Sequence, residues 1–278
     1  MKQIRLLIFA FLLTAVMSAN ALAGDYAGLK ILGFSKDGKF LAFEEYGAFD
    51  STGGEYETTY YIDVVKNTFA AAPTVFEWDM DKSEKSNSAI LSRYKKSVAA
   101  NLRKFGIAKG NTGQQTVAHL LSDMSFVKPI KREHYFYEDG KNESVDKLVT
   151  DYEGAFIRRD SLEIEKVIFS AGIDSYNQNT EEFYELTLIP TIAKEHEGCS
   201  GGYKIELTLR DNTGHRAHDL QTLQKDADVL PKSRQCPYGY KIEQVYIYEG
   251  KIAVFLNVFG QGFEGPDMRY MVVTGEIQ

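Results

Sequence analysis

Cysteine is nearly absent from this chain of 278 residues: Cys199 and Cys236 are its whole complement. In an oxidising compartment two lone thiols read as one disulfide rather than as a metal or catalytic pair. The closed loop of about 38 residues would contribute roughly 4 kcal/mol in the chain-entropy picture. A reactive thiol would need a free cysteine and a histidine partner, for which only His196 stands close to Cys199 in sequence. Basic runs are scarce too, none being longer than Arg93-Tyr94-Lys95-Lys96, and the formal charge is −7. That balance lacks the electrostatic footprint of nucleic-acid binding and argues against anionic membrane surfaces as partners. No Gly-x-Ser-x-Gly elbow, phosphate loop or pair of Cys-x-x-Cys motifs occurs. No Pro/Gly/Ser-rich linker interrupts the chain, so residues 24–278 are expected to form a single mostly-β secreted domain.

What is present begins with an export signal. Lys2 and Arg5 precede an apolar run of residues 6–17, and Ala21-Leu22-Ala23 supplies small residues before a cleavage point. Residues 1–23 therefore read as a secretory signal peptide, too short in its apolar part for a membrane anchor of about 20 residues. No cysteine stands just after Ala23 to carry a lipid, and no later apolar run is long enough to span a bilayer. The expectation is an exported chain, periplasmic or secreted, with no membrane span after cleavage. Loss of Lys2 and Arg5 makes it more acidic still.

The elements read mainly as strands. Leu29 to Phe34 and Phe40 to Phe43 flank Ser35-Lys36-Asp37-Gly38-Lys39, a hairpin signal, and Tyr60-Tyr61-Ile62-Asp63-Val64 makes a third strand. Leu91, Tyr94, Val98, Leu102 and Phe105 then recur at steps of three and four, with Arg93, Lys95, Lys96, Arg103 and Lys104 off that face. This predicts an amphipathic helix over 82–105, opened by Asp81 with Glu84 as a capping box and closed by Gly106. Its charge run reads as a solvated face. A second short helix is read at 116–121. Strands are expected again at 130–137, 162–169 and 183–189. In 203–209, Tyr203, Ile205, Leu207 and Leu209 point inward, and 252–259 is apolar on both faces, as a central strand would be. The fold class expected is α+β, mostly antiparallel β, with the helix packed on one face or end.

One internal echo is visible. Asp37-Gly38-Lys39-Phe40-Leu41-Ala42-Phe43 is matched by Glu249-Gly250-Lys251-Ile252-Ala253-Val254-Phe255, each before a Gly-bearing acidic loop and a Tyr-containing strand. A single echo is too few for a propeller or solenoid. It reads as two strand-turn-strand units that could be neighbours in one fold.

Chemical motifs are weak. Gly260-Gln261-Gly262-Phe263-Glu264-Gly265 spells a dinucleotide fingerprint but is followed by Pro266 and a strand where a helix is required, so it reads as a turn. Asp79, Asp81 and Ser83 match the start of a calcium loop, yet Glu84 and Ile90 stand where glycine and a bidentate glutamate belong, so a helix start is preferred. His215 and His218, with Asp219, lack a third metal ligand fixed by spacing and read as solvated. His119 and His134 read as packing residues. No cofactor or metal is assigned.

The segment Leu32-Gly33-Phe34-Ser35-Lys36-Asp37-Gly38-Lys39-Phe40-Leu41-Ala42-Phe43-Glu44-Glu45-Tyr46-Gly47, then Tyr61-Ile62-Asp63-Val64, and the closing Gly262-Phe263-Glu264-Gly265-Pro266-Asp267-Met268-Arg269-Tyr270 resemble a family of bacterial predicted secreted proteins, domain of unknown function 2259. The resemblance implies export and a single domain, and no activity. The function expected is that of a non-enzymatic periplasmic binding or interaction protein. The alternative is a hydrolase or metal-dependent enzyme whose site assembles only in three dimensions. Loops carry function more often than cores. The candidate ligand-binding residues are therefore Glu44, Glu45 and Tyr46 at one strand end, and Glu264, Asp267 and Arg269 in or after the echoed loop. The competing reading is that Arg269 pairs with Asp267 or Glu264 and merely shapes the connection.

Overall fold

A computed structural model of the chain describes residues 25–49, 53–119, 164–173, 181–194, 202–211, 220–231, 234, 236–237, 239–262 and 266–277. The expected hairpin is formed by β1 (Gly28–Phe34) and β2 (Phe40–Ala48), paired antiparallel. Its turn closes on itself: Ser35 Oγ donates to Asp37 Oδ1 at 2.8 Å, and the Phe40 amide donates to Ser35 Oγ at 2.9 Å. Gly38, at φ 70°, supplies the left-handed backbone that lets the chain reverse. The third expected strand, β3 (Glu55–Asp63), follows, and β4 (Thr68–Glu77) adds a strand the sequence did not advertise. Its Ala-rich centre and Pro73 weaken any strand pattern, and proline is tolerated there because β4 is the edge of a sheet ordered β1-β2-β3-β4.

The helix α1 (Glu84–Lys104) lies inside the expected 82–105. Its N-cap is Ser83, whose hydroxyl accepts from the Ser86 amide at 3.3 Å, rather than Asp81. Asp79 instead accepts from the Asp81 amide and pairs with Lys82, so these acids order the turn before the helix. Gly106, at φ 63°, ends the helix as expected. Tyr94, Val98 and Leu102 are buried, which is the apolar stripe read from the sequence.

The short helix expected at 116–121 is not there. Residues Gln114–Ala118 form β5 instead. β-branched Thr116 and Val117 suit a strand, and the segment hydrogen-bonds to β10 (Gly239–Tyr248) with Val117 opposite Val245. Tertiary pairing here overrides a local helical pattern that spans barely more than one turn. β10 continues into β11 (Lys251–Gln261) and β12 (Pro266–Glu276), giving the second sheet the order β12-β11-β10-β5. Gln261 ends β11 opposite Pro266, which opens β12 as a strand where the dinucleotide fingerprint would require a helix; residues 263–265 lie outside the described residues.

A third antiparallel sheet, β6-β7-β8-β9, comprises β6 (Glu165–Ile173), β7 (Glu181–Ile192), β8 (Tyr203–Asp211) and β9 (Leu220–Lys225). Ile205, Leu207 and Leu209 of β8 are buried as expected; Thr208, expected outward, is buried too, between Thr187 and Thr222 of the flanking strands. The strand expected at 130–137, the signal peptide at 1–23, His134, Cys199, His215 and His218 lie outside the described residues.

Three apolar clusters show how the layers stack. Tyr94, Val98 and Leu102 of α1 pack on Leu32, Ala42 and Tyr61 of the first sheet. The opposite face of that sheet, with Leu41 and Phe43, meets Ala253, Phe255 and Phe259 of the second. The second sheet's other face, with Ile252, Val254 and Leu256, meets Leu186, Leu207 and Leu209 of the third. The order is helix, sheet, sheet, sheet. This is why β11 is apolar on both faces: it is an interior strand of an interior layer.

The echoed hairpins are neighbours, as the sequence suggested. Phe43 meets its counterpart Phe255 edge to face, with ring centroids 5.2 Å apart. Tyr248 stacks on Phe34 at 5.4 Å, and its hydroxyl donates to the Lys36 carbonyl.

Candidate functional site

Glu44 and Glu45 are adjacent in β2, so the two-residue period of a strand sends them to opposite faces. Glu44 faces the helix. It accepts from the Tyr94 hydroxyl at 2.8 Å and from Lys30 Nζ at 2.9 Å, and Thr59 Oγ1 lies 2.8 Å from the same Tyr94 oxygen. Burial, with Glu44 beside it, holds the Tyr94 phenol above its ordinary range. Glu45 faces the second sheet and is 4% exposed; its Oε2 accepts from the Tyr270 amide at 2.9 Å. Burial raises the Glu45 pKa above the ordinary carboxylate value, against the opposing pull of the Tyr270 amide and of Arg269.

Arg269 on β12 is the centre of the arrangement. Its Nη1 donates to the Tyr56 hydroxyl at 2.8 Å and to the Asp25 carbonyl at 3.1 Å, and its guanidinium lies over the Tyr56 ring at 5.0 Å. Longer ion-pair contacts run to the Asp25 carboxylate, 3.5 Å, and to Glu45, 3.8 Å. Asp267 is drawn in by another route: its Oδ1 accepts from the Asp25 amide at 2.9 Å. The start of the described chain is thus strapped along β12, with backbone bonds from Ala27 to the Met268 carbonyl and from Met268 to the Asp25 carbonyl. Burial, beside several carboxylates and despite Arg269, pushes the Tyr56 phenol up to about 12.

The structure therefore brings together three of the six candidate residues, Glu45, Asp267 and Arg269. Glu44 belongs to the helix-facing network. Tyr46 turns outward, 45% exposed, with its ring against Gly28, where a Cβ would come within 2.6 Å of it. Glu264 lies outside the described residues. The expected pairing of Arg269 with Asp267 or Glu264 is corrected in part: the described ion-pair partners of Arg269 are Asp25 and Glu45.

Sequence reading missed Asp25, Tyr56, Glu243 and Asn257. Glu243 and Asn257 are buried beside the clasp, where Glu243 accepts from the Asn257 amide and from the Tyr270 hydroxyl at 3.1 Å. Tyr270 thus bridges two carboxylates, giving its amide to Glu45 and its hydroxyl to Glu243. Asn257 did carry a signal, as the lone polar residue inside the apolar run of β11. Glu243 carried none, because it sits where the register shifts between Ile242 and Gln244, and a bulge breaks the alternation by which a strand is read. His119 packs by its Nδ1 at 2.7 Å from the Ile242 carbonyl. Among the described residues no group of three His, Cys, Asp or Glu side chains is gathered to hold a metal.

A helix layered on stacked antiparallel sheets, with an arginine–carboxylate clasp across the seam between the first two, defines a mostly-β α+β protein. The family described as predicted secreted protein, DUF2259, matches residues 42–276, and the chain belongs to it. The match runs from within β2 to the end of β12, so it takes in strands of all three sheets but not β1, and it supports export. No curated protein and no solved structure matches the chain.

Proposed function

We propose that this is an exported, non-enzymatic binding or interaction protein of the periplasm, with residues 1–23 removed as a signal peptide and 24–278 acting as one domain. One observation carries the reading: the buried carboxylates are committed to protein donors. Glu45 is held by the Tyr270 amide, Glu243 by Asn257 and Tyr270, and Glu44 by Tyr94 and Lys30. Groups so engaged are poor general bases, since each would have to release a structural bond to reach a substrate proton. They are well suited to hold a surface feature in one geometry. At the rim of the seam, Arg269 keeps a third of its side chain exposed while being fixed from three sides, and a pre-positioned guanidinium of this kind favours recognition of polar groups.

The experiment is metal analysis and a hydrolase substrate screen on the purified mature protein, alongside co-purification of partners from the native periplasm. Stoichiometric metal or turnover would overturn the reading. Glu45→Ala and Arg269→Ala should reduce recovery of a partner by more than their loss of thermal stability explains; unchanged recovery removes the seam as the binding site. The Cys199–Cys236 disulfide belongs to the same proposal. Protein made by export should show no alkylated thiol by intact mass without reductant, and two labelled cysteines would exclude the bond.

A further inference from the structure

The charge of the chain is unevenly placed. Between Lys85 and His119 stand Lys85, Arg93, Lys95, Lys96, Arg103, Lys104 and Lys109, with no aspartate or glutamate among them, although acids outnumber bases 39 to 32 overall. The fold sets six of these seven, all but Lys109, at one pole, because α1 carries them and is the outermost of the described layers on the first sheet. The apolar stripe of α1 is spent on that sheet, so its six cations face outward; they and Lys109 are exposed. Lys85, Lys96 and Arg103 fall within about 20° of one another around the helix, opposite Tyr94 and Val98, along roughly 27 Å of its length. Among the described residues none of Lys85, Arg93, Lys96, Arg103 and Lys104 forms an ion pair; Arg103 donates to the Ala99 carbonyl and Lys104 lies over the Phe105 ring.

We propose that the outer face of α1 is a docking surface for the anionic headgroups of a lipid bilayer. Around these cations the face offers only small side chains, among them Ala89, Ser92, Ser97 and Ala100. A protein interface is anchored by aromatic and apolar residues in a core depleted of charge, and this face has no such anchor. A smooth sheet of anionic headgroups needs none, since each lysine or arginine near it contributes independently. The helix does not insert, because its apolar side is already covered by the first sheet. The acidic remainder of the molecule is repelled by the same surface, which leaves one orientation for contact, helix toward the lipid. The net charge, which argues against such a partner when averaged over the chain, hides this pole.

The inference rests on the reading that the protein acts by binding, but it uses a face remote from the Arg269 clasp, so either can fail alone. The test is flotation of the mature protein with vesicles of phosphatidylglycerol and phosphatidylethanolamine, against vesicles of phosphatidylcholine alone. Binding to the anionic vesicles is expected at low salt and should vanish at about 0.5 M salt, where charges are screened beyond roughly 4 Å. Reversing Lys96, Arg103 and Lys104 together to Glu should weaken binding roughly 100-fold or more. Neutralising the same three to Gln keeps helix propensity and removes half as much charge, so it should weaken binding clearly but less than the reversal does, while thermal melting verifies that each variant is folded. A control with Lys36→Glu, Lys66→Glu and Lys225→Glu changes net charge equally and should still bind. No binding to anionic vesicles, binding that survives high salt, or equal loss in the control would overturn the proposal. So would self-association or capture of an acidic protein through this face without vesicle binding.

Discussion

The hairpin β1–β2 and the hairpin β10–β11 share an echoed turn and second strand, residues 37–43 and 249–255, and end in different surroundings. Their inner faces meet each other, Phe43 on Phe255. Their outer faces diverge: Glu44 of the first lies under the helix, bonded to Tyr94, whereas its counterpart Leu256 is fully buried against the third sheet. The turns diverge as well. Residues 35–39 form a loop closed by Ser35 and Asp37, while Glu249 and Gly250, at φ 49° and 66°, make a two-residue reversal between Tyr248 and Lys251. A shared pattern of alternation fixes the strand and its core-facing side. The layer stacked on the other side decides whether a polar residue can live there.

Exchanging the outer-face residues tests that difference most severely. Leu256→Glu places a charge in an apolar layer and should cost more than about 4 kcal/mol, enough to prevent folding. Glu44→Leu should cost about 1–2 kcal/mol, because the Tyr94 hydroxyl retains Thr59. Urea denaturation followed by Trp78 fluorescence compares them, and equal losses would erase the distinction. Next in size is the shared inner face. Phe43→Ala and Phe255→Ala should each cost about 3–5 kcal/mol. The double variant should lose less than their sum by about 0.5–1.5 kcal/mol, reflecting the edge-to-face contact; strict additivity would mean the rings do not communicate.

The seam between the hairpins should show itself in pH dependence. Burial raises the pKa of Glu45 in the folded state. Folding therefore favours its protonated form, and the stability this confers is full below the unfolded value and is lost as pH rises through the folded one. Glu45→Gln removes the titration, so the stability of the variant relative to the parent should improve on going from about pH 4 to about pH 7. A relative decline over that interval would show that Arg269 and the Tyr270 amide outweigh burial. Asp37 runs the opposite way: Ser35, then Lys39, lowers its pKa to about 2, so its contribution is present above the ordinary value and is lost only as pH falls toward 2. The smallest effects belong to the turns. Gly250→Ala should cost about 1 kcal/mol, from its left-handed backbone alone. Gly38→Ala should cost somewhat more in a thermal melt, because a Cβ there would meet Lys251 Cγ at 3.1 Å and the Tyr248 carbonyl at 3.3 Å.

By itself the sequence determined the features that depend on near neighbours along the chain. The first hairpin, the helix with its Gly106 stop, the inward side of β8 and the central place of β11 all follow from local periodicity and turn chemistry, and all are in the structure. The echo even announced that the two hairpins belong together. Tertiary structure decided what local pattern leaves open. Residues 114–118 became a strand because β10 offered an edge, and Pro73 was accommodated because β4 is one. Glu44 and Glu45 were parted by the pleat, and Arg269 chose Asp25 and Glu45, the latter 224 residues away along the chain, over its neighbour Asp267. The physical reason is common to all of these. Alternation and capping are settled within a few residues, whereas ion pairs, edge pairing and the polarity a strand's second face can carry depend on which layer arrives from elsewhere in the chain.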